Sequence, residues 1–192
     1  ASNLGQMLNR LCQADGIPLV NIVRREEQAD LLRAAGAEHV VVSSADSFAD
    51  DLTAALAETG ATIAFDAIGG GEQVDTILAC MEKASSAGQA FSRYGSDTHK
   101  QVYIYGGLDR SATTLRRTYG MSWGVGGWLL TPFLGRVGFE RMAELQARVA
   151  AEITTTFASG YADTISLDDM LDPAVAVAYS AQATGEKRLV TP

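Results

Sequence analysis

The residues with spacing suited to chemistry are Ser2-Asn3-Leu4-Gly5, Arg24-Arg25, and two glycine runs, Gly69-Gly70-Gly71 and Gly106-Gly107. From Leu4 onward, Leu4, Met7, Leu8, Leu11 and Cys12 recur at i, i+3, i+4, i+7 and i+8, which predicts a helix starting inside the first stretch. The first turn of a helix has N–H groups without partners, and its dipole favours an anion there. In a dinucleotide-binding turn, G-x-G-x-x-G, the last glycine lets helix and strand pack closely. Gly5 fits that position, Ser2 falls on the second, and the first lies before residue 1. An ordinary helix opened by a Ser or Asn cap fits the same residues.

A turn of this kind that selects NAD has an acid about 20 residues past the glycines, at the end of the second strand, to bind the ribose 2′-hydroxyl. Arg24-Arg25 stand there instead. Guanidinium offers a 2′-phosphate charge-assisted, often bidentate hydrogen bonds, which points to NADPH. The competing reading has the two arginines simply opening an exposed helix beside Glu26 and Glu27. Arginine at a helix N-terminus opposes the dipole.

These residues need strands and helices to position them. Pro18–Val23 is an apolar run with the pattern of a strand buried on both faces. Glu26–Ala35 is predicted helical with Leu31 and Leu32 inward and Gly36 as its stop; His39–Val42 is the next strand. Ser47–Thr59 is a helix closed by Gly60, and Thr62–Ala67 a strand ending in Ile68-Gly69-Gly70-Gly71. Glu72–Lys83 carries Val74, Ile77, Leu78 and Met81 at helical spacing; Ser85–Lys100 reads as a long loop. Gln101–Tyr105 is a strand followed by Gly106-Gly107. Alternating strands and helices with short connections imply an α/β, Rossmann-like, doubly wound parallel sheet with right-handed crossovers. The C-terminal strand ends of such a sheet form its ligand crevice, so both glycine runs are expected beside the groove of Ser2–Gly5. Each run alone also fits a plain tight turn.

Beyond Asp109 the character changes. Met121–Leu134 is apolar and rich in Gly and Trp, suited to a groove wall, a subunit interface or an edge element. Phe139–Phe157 is predicted as a long helix with Met142, Leu145, Val149 and Ile153 inward. Leu167–Leu171 and Ala174–Ala183 read as short helices, and Gly185–Val190 as a turn into a last strand.

The net charge of -8 argues against a nucleic-acid or anionic-membrane surface, so no such partner is expected. No apolar stretch is long enough to span a bilayer. Two distant cysteines, Cys12 and Cys80, fit reduced thiols, and no leader precedes the fold; the expectation is a cytoplasmic protein. His39, His99 and the cysteines lack metal-ligand spacing, so no metal site is expected within the chain.

The run LGQMLNRLCQADGIPLVNIVRREEQADLLRAAGAEHVV, then IAFDAIGGG, VYIYGGL and GGWLL with Phe133, resembles the cofactor domain of medium-chain dehydrogenases/reductases. Within that superfamily it is most similar to quinone oxidoreductases and 2-enoyl thioester reductases. GAEHVV and the D-x-x-G-G turn are the characteristic pieces, and the resemblance covers nearly the whole chain. Ser2 and Asn3 depart from it, standing where many quinone reductases have Gly-Gly.

The resemblance implies that 1–192 is one nucleotide-binding domain, with 121–192 carrying segments that return toward a GroES-like catalytic domain. It also implies a first strand before the turn; neither that strand nor the catalytic domain is in the 192 residues, so a fragment or isolated domain is expected. Ser2, Asn3, Leu4 and Gly5 would bind the pyrophosphate, and Arg24 and Arg25 the 2′-phosphate. Ala67, Ile68 and Gly69 would lie against the nicotinamide ribose. Gly106, Gly107 and Leu108 would approach the nicotinamide, with Trp123, Gly127 and Trp128 at its far side; core or dimer packing suits the tryptophans equally. Asp66 is expected to order the Gly69-Gly70 turn by hydrogen bonds, and no catalytic residue is assigned. The implied activity is hydride transfer from NADPH to a small acceptor, a quinone, enone or enoyl thioester, with a homodimer as the expected assembly. The fragment alone is expected to bind NADPH weakly and to have no turnover. Two rival classes are a non-catalytic NADPH-binding module and a Rossmann methyltransferase; Arg24-Arg25 argues against the second, because adenosyl ribose hydroxyls want an acceptor.

Overall fold

The computed structural model describes residues 2–161, 163–180 and 187–192. Ala1, the end of the helix expected to Ala183, and the Gly185-Glu186 turn lie outside them. The elements run α1 (Asn3–Asp15), β1 (Val20–Val23), α2 (Glu26–Ala34), β2 (His39–Val42), α3 (Phe48–Thr59), β3 (Ile63–Asp66), β4 (Gly69–Gly71) and α4 (Gln73–Ser86). They continue as β5 (Lys100–Ile104), β6 (Asp109–Thr113), β7 (Trp123–Gly127), α5 (Leu130–Ala151), β8 (Asp163–Ser166), a 3-10 turn (Asp169–Leu171), α6 (Pro173–Ser180) and β9 (Arg188–Thr191).

All strand pairs are parallel: β1 with β2, β5 between β3 and β7, β4 with β6, and β8 with β9. Helices occupy both faces. Ala29 and Leu32 of α2 pack with Val23, Val40 and Val42, whereas Leu52, Ala55 and Leu56 of α3 pack with Val20, Ile22 and Val41. Because side chains alternate across a strand, these are opposite faces. Right-handed crossovers on opposite faces reverse the direction of winding, so β3 lies on the β1 side of β2. Yet β1 and β3 do not pair among the described residues. One core joins the two halves: α3 and α4 bury Leu52, Leu78 and Met81 against Val41 on one side and Val102 on the other. Each such fully buried side chain contributes about 1.5–3 kcal/mol.

Several sequence expectations need correction. On α1, Asn9 is buried and Leu4 is 56% exposed, since Asn9 bonds both Asn21 Nδ2 and the Ala35 carbonyl. Leu31 is exposed and Ala29 faces inward, because α2 meets the sheet through the Ala29–Leu32 row. Gly69–Gly71 form a short strand against the unforeseen strand Asp109–Thr113. Helix α4 runs through Ser86 into the expected loop. The last long helix begins at Leu130, breaks at Gly138 (φ 81°) and ends at Ala151. On it Met142 and Leu145 are half-buried, whereas Val149 and, just beyond it, Ile153 are exposed. That helix is tied down by polar contacts instead: Arg148 pairs with Asp15, and Arg10 donates to the carbonyls of Thr156 and Ala158.

Candidate functional site

Strands β3 and β5 end side by side. Asp66, 4% exposed, accepts hydrogen bonds from Ile68 N and Gly69 N, both at 2.9 Å, and so shapes the turn after β3 as expected. Tyr105 N donates to Asp66 O at 2.9 Å, carrying β5 one step further to Gly106. A Cβ on Gly106 would lie 2.5 Å from Ala67 O, and one on Gly69 would lie 2.9 Å from Gly106 O. Only glycine permits this approach. Leu108 N and Asp109 N donate to Ala67 O and Ile68 O, so Ala67, Ile68, Gly69, Gly106, Gly107 and Leu108 form one backbone cluster.

Trp128 N donates to Ile104 O, bringing the end of β7 beside that cluster. Its indole meets Phe65 edge-on and Phe133 at 5.7 Å. A cavity of about 680 Å³ opens here, walled by Tyr105, Gly106, Gly107, Gly127, Trp128 and residues of the first turns of α5. Burial, with help from the Asp66 carboxylate, pushes the Tyr105 phenol up.

Ser2 is the N-cap of α1: its Oγ accepts from Gly5 N at 3.1 Å. The cap expected of an ordinary helix is therefore present, and it engages Gly5 N–H; Asn3 and Leu4 contribute the remaining N–H groups of the first turn, which have no intrahelical acceptors. Arg24 and Arg25 join β1 to α2, Arg25 as the N-cap, with both backbone N–H groups held by Gln28 Oε1. Both side chains are exposed, and neither makes an ion pair among the described residues. Glu26 pairs with Arg33 at 2.5 Å instead. Ser2–Gly5 and Arg24-Arg25 are thus held by contacts separate from those of the glycine cluster.

Trp123 does not join the groove. It sits at the other end of β7, edge-on to the buried Tyr119, with Nε1 donating to Gly120 O. Tyr105, Leu129, Pro132 and Arg136 line the cavity and were not singled out from sequence. The spacing of Pro132 and Arg136, four apart in a helix that follows the glycines, could have put both on one face.

Among the described residues no three His, Cys, Asp or Glu side chains converge in a way that could hold a metal ion. No helix among them is long and apolar enough to cross a membrane.

Residues 4–90 match the family described as zinc-binding dehydrogenase. No curated protein matches the chain by sequence. The fold is that of a candidate NADPH:quinone reductase from Mesorhizobium loti (TM-score 0.77, 22% identity), which covers 100% of this chain while this chain covers 51% of it. A mutant enoyl thioester reductase from Candida tropicalis superposes at TM-score 0.67 with 14% identity, covering 100% of this chain and 52% of its own. A mycobacterial protein solved with NADPH does so at 0.65 and 17%, covering 100% and 54%. The chain thus spans about half the length of these proteins. The described residues supply no ligand set for the zinc of the family's description. Residues 4–90 are thus similar to the zinc-binding dehydrogenase family, and the chain as a whole has the Rossmann-like fold of these solved reductases.

Proposed function

We propose that this chain is the NADPH-binding domain of a longer oxidoreductase that reduces a quinone or an activated double bond. The observation that carries the reading is the meeting of Gly69 and Gly106 at the strand ends, beside a cavity walled by Gly107 and Trp128. Such a cleft lets a flat ring approach the backbone. Bound there, the nicotinamide would supply the hydride. The chain's own residues bind and orient it: Gly106, Gly107, Leu108 and Trp128 around the ring, Ala67, Ile68 and Gly69 at its ribose. Ser2, Asn3, Leu4 and Gly5 take the pyrophosphate at the start of α1, chiefly through Asn3 and Leu4 N–H. Arg24 and Arg25 bind the 2′-phosphate; their lack of ion pairs among the described residues supports this, as does NADPH in the mycobacterial neighbour.

The acceptor would be a small molecule, with its cleft completed by a catalytic domain toward which 121–192 return. β7 is an edge strand among the described residues, and a second copy would pair with it to form a homodimer. Thermal-shift titration with NADPH and NADH on the full-length protein, as wild type and as the Arg24→Ala, Arg25→Ala double variant, tests the reading. NADPH should stabilise the wild type well beyond NADH, and the double variant should lose that preference. Equal response of the wild type to both cofactors would overturn the arginine assignment; no response to either would overturn the nucleotide site.

A further inference from the structure

We propose that Arg136 selects the hydride acceptor by binding a carboxylate on it, so that the preferred acceptors are small unsaturated carbonyl acids. This rests on the reading of the cavity as the nicotinamide and acceptor groove. At about 680 Å³ the cavity is within the size range of small-molecule sites. Its wall consists of glycine backbone, Ile104, Tyr105, Trp128, Leu129 and Pro132, with Arg136 as the one charged side chain.

The helix itself explains why that charge is available. In a straight helix Glu140, four residues on, would be the default partner of Arg136. Gly138, at φ 81° and ψ 171°, breaks the helix between them, and no ion pair forms. The other arginines of α2 and α5 are paired: Arg33 with Glu26 and Asp30, Arg141 with Glu144, and Arg148 with Asp15 and Glu152. In a chain of net charge -8, Arg136 is exposed, makes no ion pair among the described residues, and is the one charged side chain at the mouth of the open cavity. A planar fork of donors suits a carboxylate bidentately. Since Arg136 and Gly106-Gly107 wall the same cavity, the anionic group and the reacting carbon must belong to one compact molecule. The phosphates of a long thioester carrier do not meet that requirement, and a neutral quinone gains nothing from the guanidinium.

The test compares a 4-oxo-2-enoate with its methyl ester on the full-length protein, in the wild type, Arg136→Gln and Arg136→Lys. Binding of saturated 4-oxopentanoate, read by isothermal titration calorimetry, tests the site without turnover. The wild type should favour the acid over the ester through KM. Arg136→Gln should reduce that preference, and the affinity for 4-oxopentanoate, by roughly ten-fold or more, with Arg136→Lys in between. A wild type that binds acid no better than ester overturns the proposal. So does an Arg136→Gln variant whose NADPH affinity falls by the same factor, because the guanidinium would then serve the cofactor. Failure of NADPH to bind at all refutes the proposed function, while the 4-oxopentanoate titration still decides the role of Arg136.

Discussion

Replacing Gly106 and Gly107 separately by alanine distinguishes a glycine required for packing from one required for access. At Gly106 the new Cβ would lie 2.5 Å from Ala67 O and 3.0 Å from Ala67 Cα. Both are backbone atoms, and the Tyr105 N to Asp66 O bond at 2.9 Å holds the strand ends together, so neither can swing aside like a side chain. Such overpacking costs about 1–3 kcal/mol. For a domain of this size that lowers Tm by about 2–12 °C, at about 2–4 °C per kcal/mol. At Gly107 a Cβ would meet nothing within 4 Å, and the backbone is outside the left-handed region. There alanine should leave stability unchanged or raise it by up to about 1 kcal/mol. Because Gly107 faces the cavity, the same methyl should weaken NADPH binding. Urea denaturation and calorimetric NADPH titration on both variants measure the two effects. A Gly106→Ala variant of wild-type stability would refute the packing argument. A Gly107→Ala variant with undiminished NADPH affinity would refute the assignment of that backbone to the nicotinamide.

Lys100, fully buried, donates to Glu82 at 2.5 Å and also to Ser96 Oγ and Thr98 O, so Lys100→Met leaves a buried carboxylate without its cation and should cost about 3 kcal/mol or more. Burial alone pushes the Glu82 carboxyl up, but the bonds from Lys100 and Ser96 outweigh it and hold it below its ordinary value. Its stabilisation is therefore present above the unfolded carboxylate value and is lost as pH falls through the folded one. Without Lys100 burial gains weight, so the deficit of Lys100→Met should narrow as pH falls toward about 4, and a deficit independent of pH in denaturation curves would contradict this. Asp66→Ala removes the acceptor of two turn N–H groups and should cost about 1–3 kcal/mol, read as a lower urea midpoint; an unchanged midpoint would show that water replaces the carboxylate. Since β1 and β3 do not pair among the described residues, a form of the protein lengthened upstream of Ala1 should melt higher, and an equal Tm would mean that no strand enters between them.

What local spacing and hydrogen bonding control was legible in the amino-acid sequence alone. The alternation of strands and helices follows from apolar periodicity, the stop at Gly60 from its left-handed cap, and the Asp66 turn from bonds reaching only two or three residues along the chain. Partners far apart in sequence were decided by tertiary structure. Periodicity identifies a row of side chains on α1 or α2, but not which row meets the sheet; that is why Asn9 is inside and Leu31 outside. The bond between Lys100 and Glu82 and the pairing of Gly69–Gly71 with Asp109–Thr113 join segments whose spacing carries no signal of their meeting. The candidate site divides the same way. Gly106, Gly107 and Trp128, named from their positions and from the resemblance, line the cavity, whereas Trp123, named with them, does not. Arg136 could not be named from sequence, because its significance lies in a helix break that leaves its charge unpaired and in the wall it happens to complete.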